Sequence, residues 1–296
     1  MRVCTKTGGG LGNRVLGSLT GFFISRLNNT PLYIHWPDDN PACLASWTDL
    51  FVDNNAIIND HVPETDDDYY IVHNPSYYTN RVNVLCHRSD VLLKDNHELL
   101  SLTNNLIRQP TSQDIIIQDD GAMAAQLPRE LIKEYFCNGL MIKPYIIDKA
   151  REFCKLHQVD GNTIGVHMRL TDMIHEDNRQ SIINQYINKM CEFESSRFFI
   201  CSDDSDAEEQ LKEAFPGSII KYDKTEYVEK FHTSAGWKRM DTTGNDKCRY
   251  NVSRSKDSVI EALIDCLVLS RTDMNHFPNV GSFNSLSRFL KLVKFN

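Results

Sequence analysis

A short apolar strand that empties into a glycine cluster and then into a long helix-forming stretch constrains this chain more than any other feature. Arg2–Lys6 runs straight into Thr7-Gly8-Gly9-Gly10-Leu11-Gly12-Asn13. Leu11, Val15, Leu16, Leu19, Phe22, Phe23 and Leu27 then recur at helical spacing. Pro31–Trp36 reads as the next strand, stopped by Pro37 and Asp38. Strand, helix and strand in that order form a βαβ unit, whose helix crosses over one face of a parallel sheet. At about 150 residues per domain, a chain of 296 residues accommodates two α/β domains.

The second half repeats the theme. Ile146–His157 carries helical periodicity, and Gln158-Val159-Asp160-Gly161-Asn162 is a turn cluster that predicts a domain boundary, giving 1–158 and 159–296. Thr163–Met168 alternates as a strand, with Ile164, Val166 and Met168 on one face and Gly165, His167 and Arg169 on the other. Arg197–Cys201 is an apolar strand that delivers Ser202-Asp203-Asp204 at its C-terminal end. Asp206–Phe215 is a helix stopped by Pro216-Gly217, and Ile219–Tyr222 is a further strand. In the helix Ser255–Arg271, the stripe Val259, Ile260, Leu263, Ile264, Leu267 and Val268 leaves Glu261 and Asp265 on the opposite side. A terminal helix is expected over Ser285–Val293. Between Asp53 and Asp120 the chain reads as loop-rich, with Asp66–Asp68 and Asp119–Asp120 as solvated acidic clusters. The pattern predicts two α/β units of comparable size facing one another.

A net charge of −8 excludes the broad basic footprint of a nucleic-acid binder but leaves room for one local pocket for a small anion. The N-terminus has no apolar signal-peptide core, and Leu263–Leu269, broken by Asp265, falls far short of the roughly 20 apolar residues that span a bilayer. The nine cysteines form no CxxC pair or zinc spacing, and Cys4, Cys201 and Cys266 lie in apolar runs. The sequons at Asn28 and Asn251 are expected to be chance matches. These features together predict a cytoplasmic protein with reduced thiols.

Four segments carry candidate chemistry. The glycines from Gly8 to Gly12 permit close backbone approach to a phosphate or sugar at a helix N-terminus, or simply form a tight turn. The segment has neither a Walker lysine nor the third glycine of a dinucleotide fingerprint, since Asn13 stands there. His167-Met168-Arg169-Leu170-Thr171-Asp172 ends a strand, where ligands bind in open α/β sheets. Arg169 offers a planar fork to a diphosphate, with Asp172 near enough to orient it; a salt bridge of purely structural use is the alternative. Asp204-Ser205-Asp206 fits either an Asp-x-Asp metal site or a helix N-cap with an acidic first turn, and Asp203 is the stronger candidate to point into a cleft. Asp265 and Ser282-Phe283-Asn284-Ser285 complete the set. No Gly-x-Ser-x-Gly elbow or other nucleophile signature is present.

Taken in order, GGGLGNR at 8–14, IGVHMRLTD at 164–172, FFICSDD at 198–204, SVIEALIDCLVLSRTD at 258–273 and SFNSLSR at 282–288 resemble the fucosyltransferase superfamily. Within it, the α-1,6-fucosyltransferases, including the nodulation-factor enzymes, are the most similar group. The resemblance is strong over Thr163–Phe289 and thin across Ile57–Lys155, with the opening βαβ unit also suggestive. It implies a GT-B architecture of two Rossmann-like domains facing a cleft, the first on the acceptor side and the second binding donor. It further implies metal-independent, inverting transfer from GDP-β-L-fucose to a glycan or glycolipid, with no cofactor beyond the sugar nucleotide.

By resemblance, Arg169 grips the donor's β-phosphate, His167 and Asp265 recognise guanine, and Asp203 and Asp204 match the acidic pair after the next strand. Ser285 matches a phosphate-binding serine, while Gly10, Gly12 and Asn13 match the loop approaching sugar or acceptor. Asp172 belongs to the catalytic motif, and Glu176 and Asp177 bracket the position of a glutamate base. Many relatives carry a second arginine after the first; here Leu170 stands in its place. The missing membrane anchor of eukaryotic relatives implies a bacterial or viral enzyme. Transfer of another sugar, such as xylose or rhamnose, and a non-catalytic glycan- or nucleotide-binding protein on the same scaffold are the alternatives.

Overall fold

A computed structural model describes residues 2–59, 69–73, 82–86, 89–93, 114–118, 127–172, 174–193, 195–230, 252–277 and 281–293. Asp66–Asp68, Asp119–Asp120 and Asn251 lie outside the described residues. The strands are β1 (Val3–Lys6), β2 (Leu32–His35), β3 (Phe51–Val52), β4 (Ile57–Asn59), β5 (Tyr69–His73), β6 (Val82–Cys86), β7 (Ser89–Leu93), β8 (Asp114–Gln118), β9 (Met141–Ile142), β10 (Ile164–Met168), β11 (Phe198–Ser202), β12 (Ile219–Lys221), β13 (Glu229–Lys230) and β14 (Val252–Ser253). The helices are α1 (Leu11–Leu27), α2 (Trp47–Leu50), α3 (Arg129–Glu134), α4 (Pro144–His157), α5 (Glu176–Met190), α6 (Ser205–Ala214), α7 (Lys256–Leu269) and α8 (Gly281–Leu292).

The chain divides into two compact units: 1–38, 46–143 and 281–296 in the first, 39–45 and 144–280 in the second. The division expected at 158/159 therefore falls before α4, and the chain returns to the first unit for α8. Packing explains both shifts. In α4, Phe153 meets Phe199 of β11 edge-on and lies near Tyr222, so the helix belongs to the second sheet. In α1, Gly12 lies so close to α8 that a Cβ there would stand 2.7 Å from the carbonyl carbon of Ser282.

The first unit holds a seven-stranded sheet in the order β4-β2-β1-β8-β5-β6-β7. It is parallel from β4 through β5, and β6 and β7 add antiparallel strands. The stretch expected to be loop-rich thus supplies β4 to β8. Its apolar runs are only three to five residues long, too short to stand out between polar neighbours until they pair. α1 is buried on most of its surface, with Val15, Leu19 and Phe22 in the core beside Val3, Leu32 and Ile34. Gly21 permits that approach, since a Cβ there would meet Thr5 Oγ1 at 2.0 Å.

The second unit is built on the parallel sheet β10-β11-β12. Ile164, Val166 and Met168 pack with Phe198, Ile200, Ile183 of α5 and Leu211 of α6. On the other face Gly165 makes room for Thr272, whose Oγ1 would stand 2.1 Å from an added Cβ. Cys4, Cys201 and Cys266 are buried. Among the described residues no helix is long and apolar enough to cross a membrane.

Candidate functional site

Three parallel strands of the second unit deliver polar side chains just beyond their C-terminal ends: Arg169 to Asp172 after β10, Asp203 and Asp204 after β11, and Lys224 after β12. This edge is where open α/β sheets bind ligands. Arg169 Nε donates to Asp172 Oδ1 at 2.7 Å and its Nη2 donates to Oδ2, a two-pronged fork. Arg254 Nη2 donates to the same Oδ2 at 3.1 Å. Burial pushes the Asp172 carboxyl up, but the hydrogen bonds and charges of Arg169 and Arg254 outweigh it and hold the group at about 2. Asp172 is therefore a permanent carboxylate that orients two guanidinium groups.

Asp203 is half-buried, and it braces the loop after β10 rather than standing free. Its Oδ1 accepts from the Leu170 amide at 2.7 Å and its Oδ2 from the Thr171 hydroxyl. Burial raises its pKa, against the pull of those two hydrogen bonds and of Arg254. Asp204 is the N-cap of α6, accepting from the Ala207 amide at 3.0 Å, and it receives a fork from Arg179 Nε at 2.6 Å and Nη2. Of the two readings of Asp204-Ser205-Asp206, the cap describes what Asp204 does here. Asp206 also faces Arg179, at 3.7 Å.

Leu170, Thr171, Glu176, Arg179, Asp203 and Tyr227 are among the residues around an open hollow of about 270 Å³. Glu176 lines it from the first turn of α5. Asp177 is absent from that lining and 86% exposed, its amide directed at the N-cap side chain of His175. The structure thus separates the two candidate bases. His167 is half-buried on β10, and its carbonyl accepts from the Tyr186 hydroxyl at 3.1 Å.

Glu261 and Asp265, on the side of α7 opposite its apolar stripe, are both buried. The helix is covered on both sides, and each carboxylate has a dedicated function inside. Glu261 accepts from the Thr225 amide at 2.9 Å and hydroxyl at 2.7 Å. Asp265 Oδ2 lies 3.1 Å from Lys224 Nζ, and Oδ1 has no hydrogen-bond partner among the described residues. Lys224 also donates to the Ser202 carbonyl at 2.8 Å and to Glu208. Glu208 is fully buried, taking the Ser202 amide at 2.8 Å and the Tyr227 hydroxyl at 2.7 Å. Burial raises the Asp265 carboxyl to about 7 despite Lys224, with Glu208 adding repulsion. Lys224 is pushed up from its ordinary value because its two carboxylates outweigh its burial.

In the first unit, Gly10 caps α1 through its backbone and Gly9 takes a positive φ of 68°. Buried Arg14 secures this turn, with Nε donating to the Gly9 carbonyl at 2.9 Å and the guanidinium over the Trp36 ring. Asn13 is half-buried beside Gly9. The contact with Ser282 and Phe283 accounts for glycine at position 12. α8 begins at Gly281, not Ser285, because the positive φ of Gly281 turns the chain into the helix. Ser285 consequently sits one turn inside, its Oγ directed at the Gly281 carbonyl at 3.4 Å.

The structure groups the expected residues into two sets: Gly10, Gly12, Asn13 and Ser285 in the first unit, and His167, Arg169, Asp172, Glu176, Asp177, Asp203, Asp204 and Asp265 in the second. Sequence reasoning missed Arg14, Arg179, Glu208, Lys224 and Arg254. Lys224 had a usable signal, its place just after a strand. Arg179 and Arg254 had none, since their carboxylates lie 25 and 82 residues away in sequence.

No protein-family model and no curated protein matches the chain by sequence. Solved structures match it by fold. Fucosyltransferase NodZ from Bradyrhizobium aligns with a TM-score of 0.60 at 16% identity, over 98% of this chain and 92% of that one. NodZ α-1,6-fucosyltransferase soaked with GDP-fucose aligns at 0.58 and 15% identity, over 98% and 93%. A mutant FUT1 of Arabidopsis thaliana in complex with GDP aligns at 0.53 and 12% identity, over 98% and 68%. The chain has the mixed α/β, GT-B type fold of these fucosyltransferases.

Proposed function

We propose that the protein is an inverting glycosyltransferase that moves L-fucose from GDP-β-L-fucose to a hydroxyl of a glycan or glycolipid, without a metal ion. The observation that carries this reading is the Arg169 fork, held by an ionised Asp172 at the C-terminal end of β10 in a fold shared with fucosyltransferases. In such a transfer the acceptor hydroxyl attacks the anomeric carbon from the face opposite GDP. Its proton passes to a carboxylate, the bond from anomeric carbon to phosphate oxygen breaks, and GDP departs with the electron pair. Arg169 neutralises the charge that develops on the diphosphate. Glu176, which lines the hollow, is the better placed of the two candidate bases, and Asp177 is not needed.

His167 and Asp265 are assigned to the guanine, with Asp203 and Asp204 supporting the donor side through the loop and helix that they brace. Gly10, Gly12, Asn13 and Ser285 are assigned to ligand contact from the first unit, which takes the acceptor side, while the second unit takes the donor.

A thermal-shift panel of GDP, GDP-fucose, GDP-mannose, UDP, UDP-xylose and CMP tests the reading. A ligand at about 100 times its Kd adds roughly 2.7 kcal/mol to the folded state. GDP and GDP-fucose are expected to stabilise, Arg169→Ala to abolish the response with the fold intact, and fucosyl transfer to survive EDTA. A response confined to UDP compounds overturns the donor, and silence from every nucleotide overturns the reading.

A further inference from the structure

We propose that Arg254 supplies a second guanidinium for the donor diphosphate, a part that the residue following Arg169 is unable to play. The inference rests on the nucleotide-sugar reading above. Leu170, next to Arg169, is 1% exposed and packed in the core with Val166, Met168 and Ile183, so that position serves packing and presents nothing to an anion. Arg254 arrives from 82 residues beyond Asp172 in sequence and donates to the carboxylate that already holds the Arg169 fork. Among the described residues, Asp172 Oδ1 serves Arg169 alone and Oδ2 serves both arginines. Two guanidinium groups thus converge on one carboxylate. Asp203, the other carboxyl whose charge Arg254 feels, has both oxygens occupied by Leu170 and Thr171.

Arg254 is also built to stay where it is. Its amide donates to the Pro41 carbonyl at 2.8 Å and its carbonyl accepts from the Leu44 amide at 3.0 Å, and Ser255 beside it caps α7. Within this anchored side chain, Nη1 is buried and has no hydrogen-bond partner among the described residues. A charged donor left without an acceptor is costly, and a phosphate oxygen is the acceptor that suits a guanidinium fork.

The experiment is isothermal titration of GDP and GMP into the wild-type protein, Arg254→Lys and Arg254→Gln, with thermal melts to verify folding. The expected result is a loss of roughly 10- to 100-fold in GDP affinity in Arg254→Gln, a smaller loss in Arg254→Lys, and little change in GMP affinity. A brace acting only through Asp172 and Arg169 also weakens GDP selectively, so Arg254→Gln is measured again in an Asp172→Asn background: a further loss of GDP affinity is expected, and no further loss there, or an unchanged GDP-to-GMP ratio in the folded single variants, overturns the proposal while leaving the nucleotide-sugar reading intact. Wild-type protein that binds neither nucleotide overturns both. Should the variants fail to fold, competition settles the point in the wild type. Inorganic pyrophosphate is expected to displace GDP far better than inorganic phosphate, and equal or no displacement overturns the proposal.

Discussion

The second unit contains two ion clusters with opposite balances. At the end of β10, Arg169 and Arg254 share the single carboxylate of Asp172. Deeper in the same unit, Lys224 stands between the carboxylates of Glu208 and Asp265, with Lys221 3.7 Å from Glu208 at the edge. Burial acts on both carboxylates in the same direction, so the partners decide the outcome. Two guanidinium groups keep Asp172 ionised at about 2, whereas a shared ammonium leaves Asp265 at about 7. The outer cluster gathers guanidinium donors around one carboxylate at the end of a strand, and the inner one gathers carboxylates around a lysine that is 7% exposed.

The sharpest way to break this contrast is to remove that lysine. Lys224 is 7% exposed and Glu208 fully buried, so Lys224→Met strands two carboxylates, and a loss of about 3–5 kcal/mol is expected in urea unfolding. A loss below about 1 kcal/mol breaks the claim that the inner cluster is structural. Asp172→Asn comes next. Its two arginines keep some contact with water, so a smaller loss of about 1–3 kcal/mol is expected, together with weaker GDP binding as Arg169 loses its orientation.

Acid titration separates the clusters by sign. The folded-state pKa of Asp172 is depressed from 3.8 to about 2, so its contribution is present above 3.8 and lost as pH falls towards 2. That of Asp265 is raised from 3.8 to about 7, so its contribution is full below 3.8 and declines as pH rises to about 7. Asp265→Asn is expected to flatten the stability profile between about 4 and 7 and Asp172→Asn to flatten it below 4; a profile unchanged in both ranges overturns the assignment. The smallest effect belongs to a charge outside either cluster. Asp177→Ala should change stability by no more than about 0.5 kcal/mol and leave transfer intact, whereas Glu176→Ala should lower kcat with the fold preserved.

Where the chemistry was local, it was legible. The strand, glycine turn and helix at Val3–Leu27 follow from spacing alone, as do β10, β11 and α6 with their polar ends. The Arg169–Asp172 pair was readable because its members stand only three positions apart. α7 was legible on one side only: one apolar stripe shows that one face is buried and is silent about the other, where Lys224 pairs with Asp265 and the Thr225 amide with Glu261. Ser285 misled because the helix starts with the turn at Gly281, a backbone event with no apolar signature.

By itself, then, the sequence determined the order of strands and helices, the two α/β units and the polar residues at strand ends. These depend on periodicities of two and 3.6 residues and on local turn chemistry. The tertiary structure alone decided the unit boundary, the return of α8 to the first unit, and the partners of Arg179, Glu208, Lys224 and Arg254. Those depend on which surfaces meet when the sheets are covered. A guanidinium 82 residues from its carboxylate has nothing in its own neighbourhood to announce the pairing.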